Sequence, residues 1–262
     1  MNSAPLSIEI SNQIARIVIN RPHRRNALDN ACWQLLAEIC TDISRRDDVR
    51  IVLLTSVGEH FCAGADIHEL RENILDTAWM QSKQTQIATA LDCYANLPQI
   101  TIAMIRGCCY GGGAALAVSS DFRVAADDAR FAITPTKLGL TYRLRDCLLL
   151  TQLIGPARAR EMLLMGAEID AATAQSWGLL SDCVAGAELD LALNQRIEKL
   201  LSSYAYSQRG IKATLLKIRD GSTDDDDETR RIFAEAFSGK DFLAAANAFV
   251  QKNSTEKTTP ND

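Results

Sequence analysis

The 262-residue sequence holds only three histidines, His23, His60 and His68, and they lie far apart along the chain. Its eight cysteines include no Cys-x-x-Cys pair. A zinc site needs such ligands at short, recurring spacing, so no metal site is expected. Cys108 and Cys109 are adjacent, where a bond between them would be strained. Cys32, Cys40, Cys93, Cys147 and Cys183 sit inside apolar segments, where a thiol behaves as a small hydrophobe. Free thiols and a reducing, cytoplasmic compartment are the expectation. Positive charge is not in excess either: 28 Lys and Arg face 33 Asp and Glu, net -5, with the signs mixed. A nucleic-acid binder needs a basic face, so that class is excluded. No apolar run reaches the about 18 residues of a membrane span. The start, Met1-Asn-Ser-Ala-Pro-Leu-Ser-Ile-Glu-Ile10, has neither a basic beginning nor an apolar stretch, so no signal peptide is expected.

What remains is an ordinary globular composition, 47% hydrophobic and 23% charged, in a chain long enough for a large core. Short β-rich runs alternate with longer helical ones. Residues 14–19 predict a strand and 29–44 a helix with apolar residues at helical spacing. Residues 49–55 read as a largely apolar strand covered on both faces. A long polar helical stretch follows, and residues 100–105 give another strand. Beyond it, residues 144–154, 157–165, 171–177 and most of 189 onward carry helix formers with few breakers. These runs predict two regions: 1–203, holding the β-containing core, and 204–262, purely helical, with polar residues 254–262 frayed. The acidic run 224–228 reads as a solvated helix start, because carboxylates there oppose the helix dipole; a metal or a basic partner is the other reading.

Two glycine-containing loops lie at strand ends: Phe61-Cys-Ala-Gly-Ala-Asp-Ile67, and Gly111-Gly-Gly-Ala-Ala115, which opens a helix. Glycine lets a backbone N–H approach a ligand closely, and a helix N-terminus adds unpaired donors and a positive dipole end. One amide from each loop could converge on one oxygen, as in an oxyanion hole. A phosphate loop is excluded, since no Lys-Ser/Thr follows Gly113, and the dinucleotide fingerprint Gly-x-Gly-x-x-Gly is unmatched. Glycines serving only tight helix packing remain the alternative.

The two loops stand in a longer pattern. Asn20-Arg-Pro-His-Arg-Arg-Asn-Ala-Leu28 comes first, then Val49-Arg-Ile-Val-Leu-Leu-Thr55, the two glycine loops with Ile102-Ala-Met-Ile-Arg-Gly107 between them, and Asp121. Phe131, Leu138-Gly-Leu140, Ala174, Trp177-Gly-Leu-Leu180 and Ala248-Phe-Val-Gln-Lys252 complete it. In order and spacing this resembles the crotonase (enoyl-CoA hydratase/isomerase) superfamily along nearly the whole chain. The resemblance implies an α/β fold, a crotonase-like spiral of repeated ββα units, with a C-terminal helical trimerisation region and a homotrimer or a dimer of trimers. It implies an acyl-CoA thioester as substrate, coenzyme A entering as part of it, with no separate cofactor. The amides of Ala65 and Gly112 would form the oxyanion hole. Backbone around Ala63, Asp66 and Ile67 would hold the adenine. Arg24, Ala27 and Leu28 would lie along the pantetheine and phosphates, and Phe249 and Lys252 would reach CoA on a neighbouring subunit. Lys252 could equally be a solvated lysine.

Two positions depart from the hydratase pattern. The glutamates that hydratases of this family use as acid and base fall at Ala115 and Pro135, neither of which transfers a proton. The loop Thr134-Pro-Thr-Lys-Leu-Gly-Leu-Thr-Tyr142 and the segment Gly64-Ala-Asp-Ile-His-Glu-Leu70 are instead similar to methylmalonyl-CoA decarboxylases. In those enzymes the tyrosine lies by the substrate carboxylate and an enolate forms as CO2 leaves, although they carry a His where this chain has Ala65. Tyr142 is thus the candidate polar catalytic group; a core tyrosine with one hydrogen bond is the alternative. Thr134 and Thr136 are read as bonding their own backbone, His68 as a surface residue, and Arg143 and Arg145 as helix-surface charges. Three functions stay open: an enzyme of the hydratase/isomerase type (a lyase or isomerase of fatty acid metabolism), a malonyl-type acyl-CoA decarboxylase, or a CoA-ester-binding homologue without turnover.

Overall fold

A computed structural model describes the backbone of residues 4–256 and the side chains of residues 4–249. The chain divides into two compact units, 1–199 and 200–262. The first unit is built on a six-stranded sheet in the order β1-β2-β3-β4-β6-β9, with β1 Leu6–Ser11, β2 Ile14–Ile19, β3 Ile51–Ser56, β4 Ile100–Ile105, β6 Phe122–Ala126 and β9 Asp182–Val184. Only β1–β2 is antiparallel, a hairpin turning through Asn12 and Gln13, both at positive φ; the other four pairings are parallel. Parallel strands need crossovers and end up covered on both faces. That accounts for the unbroken burial of Ile51, Val52, Leu53, Leu54 and Thr55.

A three-stranded sheet, β5 Cys108–Tyr110, β7 Arg130–Ala132 and β8 Glu168–Asp170, runs beside it. The units β4-β5-α4 (α4 Gly112–Ser119) and β6-β7-α5 (α5 Leu144–Met165) step from one sheet to the other. An isolated parallel bridge, Cys62 to Cys109, puts the first glycine loop at the edge of the small sheet. Between β2 and β3 lies α1 Asn30–Ser44, capped by the Asp29 side chain accepting from the Cys32 amide. Between β3 and β4 come α2 Ile67–Glu72 and α3 Thr77–Ala95, capped in the same way by Asp66 and Asp76.

The expected strands 14–19 and 100–105 are present, and the one read at 49–55 is shifted to Ile51–Ser56. The helices expected at 144–154 and 157–165 are two arms of α5, broken where Gly155 leaves helical geometry (φ 78°, ψ 161°) ahead of Pro156. Strands β1 and β6 went unread, as did β5, β7, β8 and β9, whose three residues carry no measurable alternation. β5 corrects the picture of the second glycine loop, which follows β5 and not β4 directly. After α6 Ala171–Ser176 comes helix α7 Leu189–Leu201.

The described residues of the second unit hold the helices α8 Ala205–Arg219, α9 Asp227–Ser238 and α10 Lys240–Glu256 and no strand. The acidic run is a helix start: Asp226 caps α9 in a reciprocal capping box with Thr229. Lys217 bonds Asp226 at 2.6 Å and Glu228 at 2.9 Å. Of the stretch expected to fray, residues 257–262 lie outside the described part.

Candidate active site

The two glycine loops meet. Leu28 donates its N–H to the Gly64 carbonyl (2.7 Å) and accepts from the Asp66 N–H (3.0 Å). In that parallel bridge Ala65 turns its own N–H away from Leu28. Gly64 sits at φ +99°, closed to L side chains without strain; a Cβ there would lie 3.0 Å from the Tyr110 carbonyl oxygen and 3.4 Å from the Gly112 nitrogen. Gly112 opens α4, so its N–H has no intrahelical acceptor, and Gly111 as N-cap brings no side chain to it. A Cβ on Gly112 would lie 2.9 Å from Cζ2 of Trp33 and 3.8 Å from the Gly64 carbonyl carbon. The Gly64–Ala65 peptide and the Gly112 amide are therefore neighbours, each N–H without an internal partner among the described residues. Gly113 serves packing, since a Cβ there would lie 2.6 Å from the Cys62 Cβ.

Arg21 fixes the first loop. Its guanidinium contacts Asp66 at 2.9 Å and Asp29 at 3.0 Å and bonds the Ala27 carbonyl. Burial would raise the Asp66 pKa, but Arg21 overrides it, with help from the amides of Glu69 and His68, and the carboxyl stays below its ordinary 3.8. Asn26 is fully buried at φ 58° and bonds the Arg21 amide and the Val57 and His60 carbonyls. Glu69 accepts from the Asn30 amide through both oxygens (3.0 Å) and pairs with Lys83. The sequence reading passed over Arg21 as an organiser. Its Asn-Arg-Pro context was visible, but its partner Asp66 is 45 residues away.

The residues read as CoA contacts fall as follows. Arg24 is exposed at the end of a 3-10 turn, Pro22–Arg24, while Ala27 and Leu28 are buried, so they would present backbone. The Ala63 N–H is taken by the Arg25 carbonyl. Asp66 spends its N–H on Leu28, its carbonyl on the Leu70 amide and its carboxylate on Arg21 and the His68 amide. The Ala63 carbonyl and the Ile67 N–H of this loop remain open among the described residues. Phe249 is exposed on α10, and the Lys252 side chain lies outside the described residues.

Ala115 is buried in α4, and Pro135 opens a second 3-10 turn, Pro135–Leu138. The Tyr142 hydroxyl donates to the Gly111 carbonyl at 3.0 Å, and burial keeps the phenol protonated far above its ordinary range. Arg143 bonds the Ala88 carbonyl and Asp92 of α3, and Arg145 bonds Asn96, so both tie the start of α5 to α3. His68 is exposed at the start of α2. Asp146 is buried, with the Arg143 guanidinium a distant 3.9 Å away, and desolvation pushes its pKa to about 6. Among the described residues no group of three or more His, Cys, Asp or Glu is placed to hold a metal ion, and no helix is long and apolar enough to cross a membrane.

Residues 9–258 match the family model described as Enoyl-CoA hydratase/isomerase. The chain belongs to that family. The (E)-benzylidenesuccinyl-CoA hydratase of Thauera aromatica is 30% identical over 217 residues, 82% of this chain and 84% of that protein. The 1,2-epoxyphenylacetyl-CoA isomerase of Escherichia coli is 27% identical over 248 residues, 94% of this chain and 95% of its own. Among solved structures, an enoyl-CoA hydratase from Bacillus anthracis aligns with a TM-score of 0.85 at 28% identity, covering 95% of this chain and 96% of that one. The layered α/β core is accordingly the crotonase fold of the enoyl-CoA hydratase/isomerase family.

Proposed function

We propose that this protein is an enzyme acting on an acyl-CoA thioester, whose carbonyl it polarises with the backbone amides of Ala65 and Gly112. The observation that supports this reading most directly is the juxtaposition of those amides on touching loops, neither with an internal partner. Two fixed donors stabilise the negative charge that develops on a thioester oxygen when an enolate forms, and losing one typically costs about 3 kcal/mol of transition-state stabilisation. The Ala63 carbonyl and the Ile67 amide are free to meet the adenine, with Arg24, Ala27 and Leu28 flanking the pantetheine and phosphates and Phe249 and Lys252 acting on a neighbouring subunit's CoA. A homotrimer or a dimer of trimers built through the helical second unit goes with that arrangement. CoA is part of the substrate in this reading.

Hydration by a pair of carboxylates is not available with Ala115 and Pro135 at those positions. The chemistry that fits an oxyanion hole without them needs no glutamate base. Loss of CO2 from a malonyl-type thioester is such a reaction and is the second reading, supported by the similarity of the 134–142 loop to methylmalonyl-CoA decarboxylases, although the Tyr142 hydroxyl is itself spent on the Gly111 carbonyl. A mass-spectrometric screen against crotonyl-, 3-hydroxybutyryl-, methylmalonyl- and longer enoyl-CoA tests both. Loss of CO2 supports the decarboxylase, and gain or loss of water a hydratase with another acid. Binding without turnover points to a homologue that only binds CoA esters, and no binding overturns the proposal. In Gly112→Pro one donor is gone, so unchanged turnover would remove Gly112 from the mechanism.

A further inference from the structure

The Gly111 carbonyl and the Gly112 N–H belong to one peptide unit, and the protein holds that unit from its carbonyl side. The Gly111 oxygen accepts two hydrogen bonds, from the Ala115 N–H (3.0 Å) within α4 and from the Tyr142 hydroxyl (3.0 Å). The Gly111 N–H is held by the Ala132 carbonyl at 2.9 Å. Gly111 lies at φ 49°, ψ -113°, a conformation L side chains avoid, and that ψ sets the direction in which the Gly112 N–H points. Because the peptide is planar, fixing the carbonyl oxygen fixes the N–H on its far side. Donation to the oxygen also polarises the unit and makes the N–H a stronger donor.

We infer that Tyr142 is a positioning residue for the oxyanion hole, acting on the substrate carbonyl through the Gly111–Gly112 peptide and not by direct contact. This rests on Gly112 being an oxyanion donor, as proposed above. The geometry supplies the role in full. The Tyr142 ring is packed against the core at the end of the 3-10 loop, its single O–H proton is committed to Gly111, and burial keeps that proton in place. Thr134 to Tyr142 is also the loop in which the hydratase pattern places its second glutamate. In this chain the loop's polar contribution would thus go to the hole itself. If hydrogen-bond polarisation is worth roughly 10–30% of one donor's contribution, losing the hydroxyl lowers turnover roughly two- to fivefold.

The test is infrared difference spectroscopy of the full-length protein with crotonyl-CoA carrying 13C at its thioester carbonyl. Wild type should lower the carbonyl stretch relative to water. Tyr142→Phe should give back part of that shift, while the dissociation constant of the same probe and the melting temperature stay close to wild type. A tyrosine that merely packs would leave the frequency untouched. A wild-type shift retained in full by Tyr142→Phe overturns the inference and leaves the oxyanion hole standing. No wild-type shift, together with no effect of Gly112→Pro, overturns both. Should Tyr142→Phe fail to fold, 3-fluorotyrosine at this position keeps the shape and donates more strongly. It should then lower the frequency further, and an unchanged frequency again overturns the inference.

Discussion

Lys83 of α3 and Glu69 of α2 meet at 2.5 Å with the lysine side chain only 2% exposed, and Glu69 also receives the first amide of α1. The pair ties three helices together beside the first glycine loop. Replacing Glu69 by Ala strands a buried ammonium, so the expected loss is about 3–5 kcal/mol of unfolding free energy. Combining Glu69→Ala with Lys83→Met should recover a large part of it. Urea titration of the single and double variants decides; a Glu69→Ala loss under about 0.5 kcal/mol would mean the pair is solvated.

Arg21 should matter through charge more than through volume. Asp66 is ionised at neutral pH with its pKa held below the ordinary value, and that stabilisation is present above the unfolded pKa and lost as pH falls through the folded one. Arg21→Met should therefore destabilise by about 3 kcal/mol at pH 7 and by clearly less near pH 3. Arg21→Lys should rescue only partly, because one ammonium cannot serve Asp29, Asp66 and the Ala27 carbonyl in a fork. An equal loss at both pH values would point to packing alone.

Asp146 has the opposite sign. Its folded pKa of about 6 lies above the ordinary 3.8, so between those values the native state holds a proton that the unfolded chain has released. Stability from this group is complete below about pH 4 and falls as pH rises to about 6, by roughly 3 kcal/mol in all. Asp146→Asn keeps a neutral side chain throughout. Its stability relative to wild type should improve by that amount between pH 4 and pH 7.5, read by denaturant midpoints at each pH. Parallel pH curves for the two proteins would show that Asp146 does not titrate in this range.

Trp33 and Gly112 should be energetically coupled. An Ala at 112 keeps the N–H but drives its methyl into the indole edge, 2.9 Å from Cζ2. Overpacking of this kind costs about 1–3 kcal/mol. Trp33→Phe removes those ring atoms and also the buried indole N–H, which has no partner. The double variant should be more stable than the sum of the two single losses predicts, by at least about 0.5 kcal/mol. Strict additivity would place the indole away from Gly112.

Much of this molecule is legible in its sequence. The apolar run of β3, the amphipathic α1 and the helical second unit follow from local pattern, because periodicity and propensity act over a few residues. The glycine loops and the Asn-Arg-Pro segment pointed to the family, and the resemblance puts Ala115 and Pro135 where hydratases carry their glutamates. Local pattern could not show which groups meet across the chain. Arg21 with Asp66 spans 45 residues, Tyr142 with Gly111 spans 31, and Lys83 with Glu69 spans 14. The first two pairings depend on a fold that brings distant loops together, the third on the packing of consecutive helices α2 and α3, and burial makes an ordinary Asp146 or Lys83 energetically significant. The sequence by itself determined the fold, the family and the two loops. The tertiary structure alone decided which groups meet around the two glycine loops, Arg21 with Asp66 and Tyr142 with the Gly111 carbonyl, since that is a matter of long-range contact and desolvation.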